Sequence, residues 1–421
     1  MRKRAWRYLC TAIACVALAL PLSACSDSGH TRLNFVFSKR EAIPFMHQVV
    51  ADYNNAHKYV TVVMDTSGVD PMSASFVRGN PPDVALANYN METARFVERC
   101  TLSDLSDFAP TAKINPDLTP LMKQYGECEG RVSALPYSIM ASAVIYNKDT
   151  FAKYNLQIPK TWDELIEVSQ KLKDNGVTPF YGTFSAAEGW TIGQGWFDYS
   201  VGGSLDVLQF FDALKAEGEH VNAHSKVSFE KDFAQPVKKM RYLADNFTNS
   251  DAFSRSYGDG NTNFAKGKAA MLMQGPWSFS EIAKTNPDLN LGTFPLPMTN
   301  DPSDLKVRVN VDLAGWIPQA SKHKAQARQF LEYLYSPGVI EKYNASQLGI
   351  VPIDGAKQTQ DERIQGAMHY YNEAKFYQGP SVLIDKTIPV FNYTQEMLLS
   401  DQPNKLLQTL DEDWARLASR R

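Results

Sequence analysis

Residues 264–279, F-A-K-G-K-A-A-M-L-M-Q-G-P-W-S-F, end an amphipathic helix, form a short apolar strand over 269–273 and turn at Gly275-Pro276 to deliver Trp277. An indole set directly after a strand and a turn is held by rigid elements yet can face a cleft and cover an apolar ligand surface. Large aromatics also fill cores, so other residues must point the same way. Residues 188–199, E-G-W-T-I-G-Q-G-W-F-D-Y, carry Trp190 and Trp196 among three glycines and two acids. Glycines weaken the helical signal there, and the segment reads either as a packed loop or as a ligand platform flanked by carboxylates. A third cluster, Asn88-Tyr89-Asn90, follows the short apolar run 84–87. In open parallel sheets ligands sit beyond the carboxyl ends of strands, which makes these three pocket candidates. Tyr257, in the Y-G-D-G loop 257–260, and Tyr137, in the L-P-Y run 135–137, complete the aromatic candidates.

Other chemistry is less well supported. His220 and His224 have a metal-like i,i+4 spacing but no third ligand nearby, so a solvated pair is expected and no metal or cofactor. Glu188 and Asp198 could be drafted as a glycosidase pair, yet no motif sets them opposite each other across a bond. No phosphate loop, nucleophile elbow or basic nucleic-acid patch is present, so no motif marks the chain as an enzyme.

The elements that would position these groups alternate. Residues 33–37 read as a strand, 43–57 as a helix with Phe45, Val49, Val50 and Tyr53 on one face, and 59–64 as a second strand. That β-α-β order predicts a parallel sheet. Strands are expected at 84–87, 131–136, 141–147, 269–273 and 307–317, and helices at 148–154, 236–245, 259–267, 324–335 and 406–417. Thr161, with Glu164 three residues on, signals a capping box for a helix ending near Asn175-Gly176. Trp162 in its first turn reads as core.

The chain of 421 residues, 44% hydrophobic and 21% charged, is long enough for two domains with full cores. Its net charge of -3 suggests no polyanionic partner. Arg2, Lys3, Arg4 and Arg7 precede an apolar run over 9–22 that is too short for a comfortable membrane span. The run ends in Leu22-Ser23-Ala24-Cys25, which resembles a bacterial lipobox. Residues 1–24 are then a lipoprotein signal peptide, Cys25 carries lipid, and 25–30 form a polar tether. Cys10 and Cys15 leave with the signal. Cys100 and Cys128 remain in an oxidising compartment and are expected to pair.

Several blocks together resemble the extracellular solute-binding proteins of carbohydrate ABC transporters, the maltose-binding-like family. They are L-P-Y-S-I-M-A-S-A-V-I-Y-N-K-D-T-F over 135–151 with I-P-K-T-W-D-E-L after it, the opening stretch with L-G-T-F-P-L-P, and A-G-W-I-P-Q-A-S-K-H-K-A-Q-A-R-Q-F-L-E-Y-L over 314–334 with G-I-V-P after it. Their order matches the family across nearly the whole mature chain. The resemblance implies a two-lobed α/β periplasmic-binding-protein-like fold, with three hinge crossings and an interlobe ligand cleft. The lobes would be 31–138 plus 312–352 and 139–311 plus 353–421. Ligand would bind between them, and the closed form would present itself to a membrane permease served by a separate ATPase.

By the same resemblance Trp277 stacks on a sugar ring, Trp190 or Trp196 supplies a second platform, and Asn88, Tyr89 and Asn90 line the pocket. Asp312 and Trp316, at the second crossing, reach toward the ligand. Ala87 and Met140 depart from the maltose-type pattern and point away from maltose itself. The implied protein is a monomer, lipid-anchored on the outer face of a bacterial cell membrane, with a carbohydrate ligand and no nucleic-acid partner. Sugar chemistry agrees, because a pyranose has one apolar C–H face for an indole and a rim of hydroxyls for Asp, Asn, Gln and Tyr. A polyamine would need several acids beside the aromatics, and that alternative stays open.

Overall fold

The computed structural model describes residues 30–37, 39–67, 69–123 and 126–419. The expected signal peptide, Cys25 and nearly all of the tether lie outside them. Among the described residues no helix is long and apolar enough to cross a membrane.

Strand β1 (Thr31–Phe37) pairs in parallel with β2 (Val60–Asp65) and with β3 (Val84–Ala87), as the β-α-β order requires. The helix Ile43–Ala56 crosses between the first two and buries Met46, Val49, Val50 and Tyr53. The helices Lys324–Leu334 and Pro337–Gln347 share that core. Phe330 meets Phe35 edge-on with ring centroids 5.0 Å apart. Burying each such ring contributes ~1.5–3 kcal/mol and the edge contact somewhat more.

Two long strands carry the sheet from this first lobe into the second. β4 (Leu135–Asn147) is one continuous strand of 13 buried residues, where the sequence suggests two short ones. Pro136 removes a ladder donor, and register shifts between Pro136 and Ile139 absorb the interruption. β4 runs antiparallel to β7 (Val307–Trp316), whose far end meets β3. Beyond that pairing β4 lies between β5 (Met271–Gln274) and β6 (Leu291–Phe294). The short β8 (Phe376–Tyr377) joins β7 in parallel. Among the described residues the mixed sheet has eight strands.

The second lobe's core surrounds the helix Phe229–Phe247, which begins well before the expected start at Pro236. Pro236 sits inside it and removes one backbone donor. The buried faces of Phe229, Phe233, Val237 and Met240 outweigh that loss. Thr161 caps the helix Trp162–Asp174 as expected, while Glu164 reaches back to the Lys160 N–H. Cys100 and Cys128 are joined by a disulfide with Cα atoms 5.3 Å apart. Closing a loop over a separation of 28 residues is worth roughly 3–4 kcal/mol.

Candidate functional site

A cleft of about 670 Å³ lies between the lobes. Its second-lobe wall is aromatic. β5 ends at Gln274, and Trp277 is the first residue of the helix Trp277–Thr285. The indole folds back over Gly275, where a Cβ would come within 2.2 Å of the ring, so this turn requires glycine. Trp277 Nε1–H donates to Gln274 Oε1 at 3.1 Å and fixes the ring's orientation. Tyr257 is not in a loop; it opens the helix Tyr257–Ala265, started by a capping box of Ser256 and Asp259. Its backbone N–H donates to Glu188 Oε2 at 2.6 Å, tying it to the segment that carries Trp190. The Trp190 and Tyr257 rings lie 5.1 Å apart, tilted by 55°.

The glycine-rich segment 190–202 is helical rather than a loop, with a π-helical stretch at Ile192–Phe197. Its glycines serve close approach. A Cβ at Gly193 would lie 2.2 Å from the Phe391 ring, and one at Gly195 2.7 Å from the Met273 carbonyl. Such wide turns recur at functional sites, and here Gln194 borders the cleft while Trp196 is buried.

The first-lobe wall is polar. β1 and β3 run parallel, so their carboxyl ends lie at one edge and place Lys39, Glu41 and Asn88–Asn90 together. Asn88 Nδ2 donates to the Asp312 carbonyl at 2.8 Å. Tyr89 donates its hydroxyl to the Met122 carbonyl at 2.6 Å. Asn90 caps the helix Met91–Glu98 by accepting from the Glu92 and Thr93 N–H groups. Lys39 Nζ meets Asp312 Oδ1 at 2.6 Å and Glu41 at 3.2 Å. Burial alone would lower the Lys39 pKa, but the two acids outweigh it and hold the ammonium above the ordinary lysine value. Burial pushes the Asp312 carboxyl up against the opposing pull of Lys39.

Beneath the cleft Arg308 Nε donates to Asp198 Oδ2 at 2.9 Å, and both side chains are fully buried. Ser381 donates two further hydrogen bonds to that carboxylate. Burial raises the Asp198 carboxyl, with Arg308 opposing. Asp198 is therefore sequestered, which removes it as half of a glycosidase pair. His220 is 84% exposed, and no group of three metal-ligating side chains occurs among the described residues.

The structure thus brings Trp277, Trp190, Tyr257, Asn88, Tyr89, Asn90 and Asp312 to one cleft. Three candidates are corrected to core residues. Trp196 packs edge-on against Phe180 and Phe184 at 5.8 and 5.1 Å. Trp316 packs on Phe76 and Phe96 at 6.0 and 5.8 Å. Tyr137 packs on Tyr335 and Tyr343, both at 5.2 Å. Trp316 and Tyr137 are shut in by rings from segments distant in sequence, and Trp196 by rings from the segment just before its own helix.

Sequence reasoning overlooked Lys39, Glu41, Gln194, Glu281 and Arg308. Two signals could have found some of them. Lys39 and Glu41 follow β1 as Asn88 follows β3. Arg308, Asn310 and Asp312 alternate with valines along β7, a polar stripe at strand period.

With this geometry in place, comparison with known proteins defines the class. The chain belongs to the bacterial extracellular solute-binding protein family, which matches over residues 39–341. The multiple sugar-binding protein of Streptococcus mutans is 23% identical over 356 residues, covering 82% of each chain. The melibiose/raffinose/stachyose-binding protein MelE of Bacillus subtilis is 22% identical over 289 residues, 66% of this chain and 62% of MelE. Among solved structures, RafE in complex with raffinose matches with a TM-score of 0.78 at 20% identity, covering 92% of this chain and 99% of RafE. The apo form of RafE, from Streptococcus pneumoniae, matches with a TM-score of 0.75 at 19% identity, over 93% and 98% of the two chains. A sugar transporter protein of Bacillus licheniformis in complex with stachyose matches with a TM-score of 0.71 at 17% identity, over 92% of this chain and 100% of its own. These likenesses establish the two-lobed mixed α/β fold. The relatives are binding proteins and not enzymes.

Proposed function

We propose that this chain is the lipid-anchored, extracellular substrate-binding component of an ABC importer. It captures a sugar or oligosaccharide between its lobes and delivers it to the permease, whose ATPase is a separate subunit. The observation that carries the reading is the facing of two walls, with Trp190, Tyr257 and Trp277 on one side and Asn88 and Asp312 on the other. A pyranose needs that combination, an aromatic surface for its C–H face and fixed polar groups for its hydroxyls. The names of the two relatives given above, which refer to sugars, support it.

The cleft acids support a neutral ligand over a polyamine. Asp312 and Glu41 share Lys39, Glu188 holds the Tyr257 N–H, and Glu281 pairs with Lys284 at 2.7 Å. Lobe boundaries at 31–138 plus 312–352 and 139–311 plus 353–421 are part of the reading, with closure by hinge motion about the through-running β4 and β7. A monomer is sufficient, because both walls come from one chain.

A calorimetric glycan screen with Trp277→Ala as control tests it. The substitution is expected to weaken the selected sugar about tenfold, or ~1.4 kcal/mol. Affinity retained within about twofold would sink the assignment of Trp277. Anchoring is tested separately: fatty-acid labelling of the protein is expected to vanish in Cys25→Ala, and persistent labelling would refute the lipidation site.

A further inference from the structure

One helix joins the polar wall of the cleft to the disulfide. Asn88 and Tyr89 line the cleft, Asn90 caps the helix Met91–Glu98, and Cys100 stands just past that helix's end. The helix also carries Glu92 and Arg95, which pair with Lys386 and Asp385 of the second lobe. The Cys100 and Thr101 N–H groups close the helix by donating to the Val97 and Phe96 carbonyls, at 2.9 and 3.1 Å. Cys100 does so at a φ of 52°, a left-handed conformation that favours glycine. Another residue keeps such a turn when its surroundings impose it, and here the bond to Cys128 does so.

The loop between the cysteines reaches the cleft by a second route. Its Met122 carbonyl accepts the Tyr89 hydroxyl at 2.6 Å. Burial, with the Glu98 charge, pushes the ionisation of Tyr89 up, so the hydroxyl remains a donor. Gly126 of the same loop lies so close to Glu98 that a Cβ would come within 2.6 Å of its Cγ. The front of the loop is tied to the first lobe independently of the disulfide. Ser103 N–H donates to the Ile317 carbonyl and Gln319 N–H to the Thr101 carbonyl, each at 2.7 Å. Cys100 is exposed, whereas Cys128 is buried.

We propose that the Cys100–Cys128 disulfide is a positioning element of the ligand site: it fixes Tyr89 and the Asn90 cap at the cleft, and ligand affinity therefore depends on its oxidation state. The proposal rests on the sugar reading above for its choice of ligand. A dithiol reductant opens the bond from the exposed end. Its thiolate bonds to the Cys100 sulfur, the Cys100–Cys128 bond breaks, and Cys128 leaves as a thiolate that takes up a proton. The second thiol of the reductant then displaces Cys100, so the reductant is oxidised to its own disulfide and the protein gains both electrons and both protons. With the bond open, the turn at Cys100 relaxes and the Met122 carbonyl is no longer held against Tyr89.

The test compares the full mature chain before and after dithiothreitol without denaturant, with thiol labelling to show that the bond has opened. Amide hydrogen exchange over 88–98 is expected to rise on reduction, while exchange along β5 and the helix Phe229–Phe247 stays level. Calorimetry with raffinose and maltotriose is expected to show the sugar that binds losing about fivefold in affinity. Cys100→Ala with Cys128→Ala is expected to match the reduced chain, and it carries the same comparison should the native bond resist the reductant. Cys100→Gly with Cys128→Ala is expected to regain part of the affinity, because glycine holds the left-handed turn unaided. The proposal is overturned if exchange over 88–98 is unchanged or rises equally in both lobes. It is also overturned if the oxidised and open forms bind sugar within about twofold, or if the alanine and glycine variants bind alike. Should neither sugar bind, the sugar reading fails, while exchange still decides whether the disulfide positions 88–98.

Discussion

On the second lobe's wall Trp190, Tyr257 and Trp277 are held by bonds and packing at their edges and remain half-exposed to the cleft. On the first lobe's wall the polar groups are bonded to one another or to backbone. Lys39 holds Asp312 and Glu41, Asn88 holds the Asp312 carbonyl, Tyr89 holds Met122, and Asn90 caps a helix. The difference follows from the kinds of interaction. An aromatic ring can be fixed through one edge and still present a face, because dispersion on one side does not use up the other. A hydrogen-bonding group has few positions, and those taken up inside the protein are unavailable to ligand. The aromatic wall can therefore supply affinity without the fold depending on it, whereas the charged part of the polar wall belongs first to the fold.

That contrast can be broken by substitution. Lys39→Met leaves Asp312 buried without its partner and is expected to cost ~3–5 kcal/mol of stability. Trp196→Ala opens the second-lobe core and is expected to cost a similar ~3–5 kcal/mol. Trp277→Ala, half-exposed, should change the unfolding midpoint far less while losing affinity. Denaturant unfolding of the three variants checks this, and the comparison collapses if Trp277→Ala proves as destabilising as Lys39→Met.

The smallest effect concerns the interlobe ion pairs. Burial raises the Glu92 carboxyl, but its bonds from Lys386 and Ser73 outweigh this and hold it below its ordinary value of 4.5. Burial likewise opposes, and Thr387 and Arg95 overcome, in lowering Asp385 below 3.8. A depressed folded pKa contributes stability that is present above the ordinary value and lost as pH falls through the folded one. The contribution of these two pairs to folding stability is thus expected to stay level from about pH 8 to about pH 5 and to be lost near pH 3, a change of ~0–1 kcal/mol because such pairs are partly exposed. Denaturant unfolding across that range checks it, with Glu92→Gln expected to flatten the drop.

Much of the fold was legible because it is written in local pattern. The parallel β1–β2–β3 unit, the helix at 324–334 and the strand-turn-tryptophan at 271–277 follow from periodicity and turn residues. The 190–202 helix was not, because its glycines serve contacts with Phe391 and Met273 rather than flexibility. The helix expected at 236–245 begins earlier, at Phe229, because a buried face overrides the local breaker Pro236.

By itself, then, the sequence determined which kinds of side chain are available to the cleft. It set which short segments end in aromatics or amides at the carboxyl ends of strands, and it marked Trp277 with its obligatory Gly275. Tertiary structure alone decided which aromatics face the cleft. Trp196, Trp316 and Tyr137 looked as eligible as Trp190 until Phe184, Phe96 and Tyr335 closed over them. It also decided that Asp198 belongs to Arg308, 110 residues away. Local sequence specifies where a side chain starts, while its exposed face depends on partners brought in from elsewhere in the chain.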